Sequence, residues 1–129
     1  VRLLGIDTPE VYDSDKLERD AEKSGQDIKT IKKLGKIASD YIRGIAEGKR
    51  VRLERDPKND DKDKYGRLLR YVYLEDGTCI NAKILKDGYA QVYDKFDITK
   101  IDEFRKLQKE ARENNRGLWG PVDGLKQLN

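Results

Sequence analysis

Histidine and methionine are both missing from this chain of 129 residues, and cysteine occurs once. Without histidine there is no imidazole to act as general base, metal ligand or partner of a nucleophilic serine. Any base must be a carboxylate, a lysine, a tyrosine or bound hydroxide. A single cysteine, Cys79, excludes an internal disulfide, a thiolate zinc site and a Cys/His pair, and it reads as a small core residue. No apolar run approaches the ~18 residues of a membrane span, so no membrane partner is expected.

What is present is charge. Charged residues make up 41% of the chain, but 28 basic and 25 acidic side chains nearly cancel, leaving a formal charge of +3 and a pI near 8.9. That balance allows binding to a polyanion without requiring it. The abundance of Lys, Arg and Glu also suits a heat-adapted protein. The length fits one domain over residues 1–129. The chain opens at Val1 in mid-strand, so we expect pairing partners upstream and read it as a fragment or mature form. No compartment can be assigned.

Leu3, Leu4 and Ile6 predict a strand over residues 2–6, ended by Thr8-Pro9. Residues 11–33 are very polar, with one helical turn expected between Asp15 and Gly25. Ile31, Leu34, Ala38, Tyr41 and Ile45 recur at helical spacing and predict a helix over 28–47, stopped by Gly48. Residues 50–55 alternate, predicting a strand with Val51 and Leu53 on a buried face. A loop over 56–61, a strand over 68–74 and a hairpin turn at Asp76-Gly77 follow. A short helix over 82–86, a strand over 89–93 and a helix capped by Thr99, with Ile101, Phe104, Leu107 and Ala111 on one face, complete the reading, and Leu118 and Trp119 fold back onto the core. Strands and helices mix without regular βαβ alternation, so a small α+β fold, mainly a β barrel with helices, is predicted.

Asp7 and Glu10 flank Thr8-Pro9 just after the first strand. Two carboxylates and the Thr8 carbonyl at that spacing form an oxygen-only set suited to Ca²⁺ or Mg²⁺ rather than zinc. The plainer alternative is that both carboxylates cap a turn. Arg2 and Arg67 each stand at the edge of an apolar strand, where two guanidinium forks would hold a phosphate and stabilise charge growing on its oxygens, unless both are solvated edge residues. Lys64 and Tyr65 set a cation and an aromatic face before Gly66-Arg67, suited to a neighbouring phosphate or base, with packing of Tyr65 on the barrel edge as the equal alternative.

Asp13 and Asp15 read as helix-capping residues near Glu10. Asn59, Asp61 and Asp63 do not form an EF-hand, because Lys64 and Arg70 stand where glycine and glutamate are needed, so the run reads as a solvated loop. Arg43, Lys49, Arg50, Arg52 and Arg55, diluted by Glu47 and Glu54, read as surface solvation. The two arginines and two carboxylates together suit phosphodiester hydrolysis with a hard metal ion.

These residues resemble the staphylococcal nuclease-like (thermonuclease) family. Its Arg-Leu-Leu-x-x-Asp-Thr-Pro-Glu marker stands at residues 2–10, and Asp-Lys-Tyr-Gly-Arg stands at 63–67. The order continues through Asp76-Gly77, Asn81, Gly88-Tyr89-Ala90 and Gly117-Leu118-Trp119. The resemblance implies an OB-fold barrel with three helices, a monomer that cuts single-stranded DNA or RNA with one Ca²⁺ ion. Asp7 and the Thr8 carbonyl would be metal ligands, and Glu10 would orient or deprotonate the attacking water. Arg2 and Arg67 would bind the scissile phosphate, Lys64 and Tyr65 a neighbouring one, and the products would carry 3′-phosphates.

The family's first two strands, with one further aspartate ligand, have no counterpart before Arg2, so weaker calcium binding than a complete site gives is expected. The segment after Glu10 is longer than the family's loop, and Tyr93, Asp94 and Phe96 stand where the family stacks a base on tyrosines. A secreted or cell-envelope location would follow from the resemblance alone. The alternative function is an impaired OB-fold module that binds nucleic acid or protein without cleavage.

Overall fold

The computed structural model describes residues 1–8, 28–95 and 97–120. In chain order the described elements are β1 (Arg2–Leu3), β2 (Ile6–Asp7), α1 (Ile28–Ala46), β3 (Val51–Glu54), β4 (Leu69–Leu74), α2 (Ile80–Lys86), β5 (Gln91–Val92), α3 (Ile101–Glu113) and a 3-10 turn at Gly117–Trp119. The architecture is α+β. Among the described residues, more lie in helices than in strands. None of the described helices is long and apolar enough to cross a membrane.

The predicted first strand is broken in two by a turn at Leu4 and Gly5, where Gly5 takes a φ of 77°. A Cβ on Gly5 would lie 2.6 Å from the Phe104 ring and 2.8 Å from Ile98. Backbone conformation and space therefore both require glycine. The break sends two adjacent pieces of chain into different sheets. β1 pairs in parallel with β4, setting Arg2 opposite Leu69 and Leu3 opposite Arg70. β2 pairs antiparallel with β5, setting Ile6 opposite Val92 and Asp7 opposite Gln91. With β3 antiparallel on the far side of β4, the described strands form a three-stranded sheet β1-β4-β3 and a two-stranded sheet β2-β5.

Helical spacing is realised on α1, where Ile31, Leu34 and Ala38 are buried, and on α3, where Phe104 and Ala111 are. The first cluster, including Leu4, Ile6, Tyr71, Ile84, Leu85 and Phe104, fills the space between the strands, α2 and α3. The second joins Leu34 and Ala38 of α1 to Ala111, Leu118 and Trp119, so the last described residues do fold back onto the core.

Local predictions failed in informative ways. Thr99 does not cap α3, whose cap is Lys100; its backbone N–H and hydroxyl donate instead to Asp56, at 2.8 and 2.9 Å. α2 begins at Ile80, two positions before the predicted start, and Cys79 at its cap is half-buried rather than in the core. Val51 and Leu53 are 38% and 42% exposed, so the alternation in β3 does not correspond to a buried face. The helical turn expected between Asp15 and Gly25 lies outside the described residues.

Two buried polar side chains hold the pieces in register. Asn81 accepts the Val72 N–H at 2.9 Å and donates to the Leu4 and Arg70 carbonyls at 2.9 and 3.2 Å, bonding α2 to β4 and to the turn after β1. Asp56, 2% exposed, accepts the Tyr71 hydroxyl, both Thr99 donors and the Lys58 N–H. Every one of these polar groups would be stranded if its partner were lost.

Candidate active site

The parallel ladder explains how two distant arginines become neighbours. Because Arg2 lies opposite Leu69 and its N–H donates to Leu68 O at 2.7 Å, β1 runs beside the chain just as it leaves Arg67. The Arg2 side chain folds over the Gly5 turn, its Nη1 donating to Ile6 O at 2.7 Å and Leu3 O at 3.3 Å. Its guanidinium carbon lies 5.0 Å from the centre of the Tyr93 ring. Tyr93 is placed by β2-β5 pairing, with its N–H on Gly5 O at 2.9 Å.

The charge on Arg2 reports its neighbours. Burial pushes its pKa below the ordinary arginine value; Asp7 pulls it up, Arg67 presses it down, and Tyr93 and Asp63 raise it. Arginine remains cationic through such shifts. A cation is thus held in a partly desolvated corner that it shares with one like charge and two carboxylates.

The second arginine is held by its own loop. Asp63 Oδ2 accepts Arg67 Nε–H at 2.7 Å, while Oδ1 accepts the backbone N–H groups of Tyr65 and Arg67, both at 2.9 Å. Asp63 O and N bond Gly66 N and Arg67 O at 3.0 and 2.9 Å, and Gly66 at a φ of 80° closes the turn. The Asp63 side chain is only 7% exposed. Burial raises its pKa, but the bonds from Arg67 and Tyr65 outweigh this and hold it below the usual aspartate value. Tyr65 does not pack on an edge: it is 71% exposed, with Lys64 Nζ 5.2 Å and Arg67 Cζ 5.4 Å from its ring centre.

Asp7 and Arg67 thus each act on the charge of Arg2, and Lys64 and Tyr65 share the loop that carries Arg67. Thr8 follows β2 directly and is half-buried. Glu10, Asp13, Asp15 and Phe96 lie outside the described residues. The run from Asn59 to Asp63 is not merely solvated. Asn59 donates to Asp97 O at 3.0 Å, Asp61 pairs with Arg70 and with Arg55 at 3.8 Å, and Asp63 clamps Arg67. The outer arginines behave as surface residues, Arg43, Arg50 and Arg52 meeting Glu47, Glu75 and Glu54 at 3.6, 4.0 and 2.8 Å.

Among the described residues no three His, Cys, Asp or Glu side chains group as a metal cage. The donors at the end of β2, a carboxylate on Asp7 and a carbonyl on Thr8, are oxygens and suit a hard cation as part of its shell. The sequence reading missed Asp63 as a structural partner of Arg67. An Asp three residues before a Gly was the available signal, since aspartate accepts backbone N–H groups in tight turns. It also missed the Arg2–Tyr93 contact, which depends on strand pairing between distant segments.

Two arginines, the Asp7 carboxylate that acts on one of them and an exposed aromatic mark a small α+β protein with a corner chemically suited to a phosphate diester. Residues 1–121 match the staphylococcal nuclease homologue family, and the chain belongs to it. It is 34% identical to an uncharacterised endonuclease of Escherichia coli O157:H7, over 95% of this chain and 76% of that protein. It is 36% identical to a thermonuclease of Staphylococcus intermedius, over 92% of this chain and 62% of that one. It is 35% identical to an uncharacterised protein of Methanocaldococcus jannaschii, over 92% of this chain and 60% of the relative. The chain thus spans about six tenths of the last two proteins.

Proposed function

We propose that the chain is the hydrolytic domain of a calcium-dependent nuclease that cleaves single-stranded DNA or RNA. The observation that carries this reading is the strand pairing that sets Arg2 beside the chain leaving Arg67, with Asp7 ending the strand that follows the Gly5 turn. Arg2 and Arg67 grip the scissile phosphate and stabilise the charge that grows on its oxygens as water attacks in line. Glu10 orients that water and receives its proton, the P–O5′ bond breaks with the 5′ oxygen taking a proton from solvent water, and the product keeps a 3′-phosphate. Lys64 and Tyr65 hold a neighbouring phosphate. Asp7 and the Thr8 carbonyl would hold the Ca²⁺ ion, which when bound supplies positive charge to the phosphate oxygens. The domain acts as a monomer on an OB-fold barrel. Support for the barrel comes from β1 and β2, which pass from one sheet to the other through Gly5, the kind of corner by which small barrels close.

The test is cleavage of an end-labelled single-stranded oligonucleotide with Ca²⁺ and with chelator, together with Glu10→Gln. Cleavage to 3′-phosphate ends that stops with chelator is expected, and Glu10→Gln should lower kcat far more than it raises KM. Retention of the oligonucleotide without cleavage at any Ca²⁺ concentration would overturn the reading in favour of a binding module.

A further inference from the structure

We infer that Asp63 is a positioning residue for Arg67, fixing the guanidinium through its Nε edge so that the two terminal nitrogens point to the phosphate. This rests on the nuclease reading above. The geometry is selective: Oδ2 takes the Arg67 Nε–H at 2.7 Å, and among the described residues no hydrogen bond involves the terminal nitrogens of Arg67. Oδ1 meanwhile takes the backbone N–H of the same arginine and that of Tyr65, both at 2.9 Å, so one carboxylate fixes both the root and the neck of the side chain.

A nearly buried carboxylate next to a phosphate site repels the ligand, and by charge alone it weakens binding. Asp63 also touches the balance on the other side, since its charge partly offsets the mutual repulsion of Arg2 and Arg67. A group that opposes substrate affinity while restricting the fork is expected to act on the rate rather than on binding, because orientation counts most where charge develops.

Asp63→Asn separates the two roles. The amide oxygen still accepts the backbone N–H groups, while the charged acceptor for Nε is gone. In the full chain with Ca²⁺, kcat should fall ~10- to 100-fold, with KM unchanged or lower. The same substitution made in an Arg67→Lys background should cost nothing further, because the lysine has no fork to orient. Equal losses in both backgrounds, or a rise in KM with kcat intact, overturn the assignment. Exchange of the Arg67 Nε proton, followed by NMR, is a readout independent of turnover. It should be slow in the wild type and fast in Asp63→Asn. If the wild type cleaves nothing, the nuclease reading fails alone, and a fast-exchanging Nε proton in the wild type still refutes the clamp.

Discussion

Asp56 and Asp63 sit seven positions apart, and each accepts several hydrogen bonds, yet they do different things. Asp56 reaches Tyr71 and Thr99, 15 and 43 residues away, and joins the loop after β3 to β4 and to the start of α3. Among the described residues the Asp63 side chain accepts hydrogen bonds from Tyr65 and Arg67 alone, two and four residues away. Long-range bonds are made only when the whole chain folds, so Asp56 contributes to the cooperative transition. Local bonds restrict a side chain whatever the rest does, so Asp63 shapes a site. The same carboxylate chemistry therefore supports fold or function depending on how far along the chain its donors lie.

The sharpest way to break this contrast is Asp56→Ala. It leaves the Tyr71 hydroxyl and the Thr99 and Lys58 N–H groups without their acceptor, which should cost on the order of 3 kcal/mol of folding stability. Urea unfolding measures it, and a change below about 1 kcal/mol would mean that water replaces the carboxylate. Asn81→Ala should follow at about 2 kcal/mol, since it frees one N–H and two carbonyls that join α2 to β4 and to the turn after β1. Hydrogen exchange at Val72 should quicken alongside.

Acid gives a smaller effect whose sign follows from the same bonds. Burial raises the Asp56 pKa, but bonds from Tyr71, Thr99 and Lys58 more than offset it and hold the group below its ordinary value of 3.8. A depressed folded-state pKa contributes stability above the unfolded value that is lost as pH falls through the folded one. Wild-type stability should therefore decline below about pH 4. Asp61, Asp63 and Asp76 are lowered too, so Asp56→Asn should make that decline shallower without abolishing it.

The sequence revealed the parts that repeat with a period or stand as contiguous markers. α1 and α3 were readable because Leu34, Ala38, Phe104 and Ala111 recur at the spacing of one helix face. Arg2, Asp7 and Arg67 were readable as candidates because markers of known order carry them. Residues 2–6 read as one strand because hydrophobic pattern cannot register the φ of 77° at Gly5 that divides them. β3 alternates, but alternation predicts burial only if a layer covers one face, and Val51 and Leu53 remain open among the described residues. Thr99 had the composition of a cap, yet its hydroxyl and N–H donate to a buried carboxylate 43 residues away and the helix is capped one position later, at Lys100.

Asp63→Asn should have the smallest effect on the fold and so makes the strictest test of the contrast. Its donors lie within four residues, and the amide oxygen keeps the backbone bonds, so unfolding releases little that the folded chain alone had gained. Its melting temperature should stay within a few degrees of the wild type, well above that of Asp56→Ala. Circular dichroism on both proteins decides it. If Asp63→Asn melts as early as Asp56→Ala, the 63–67 turn belongs to the cooperative core, and distance along the chain no longer separates the two aspartates.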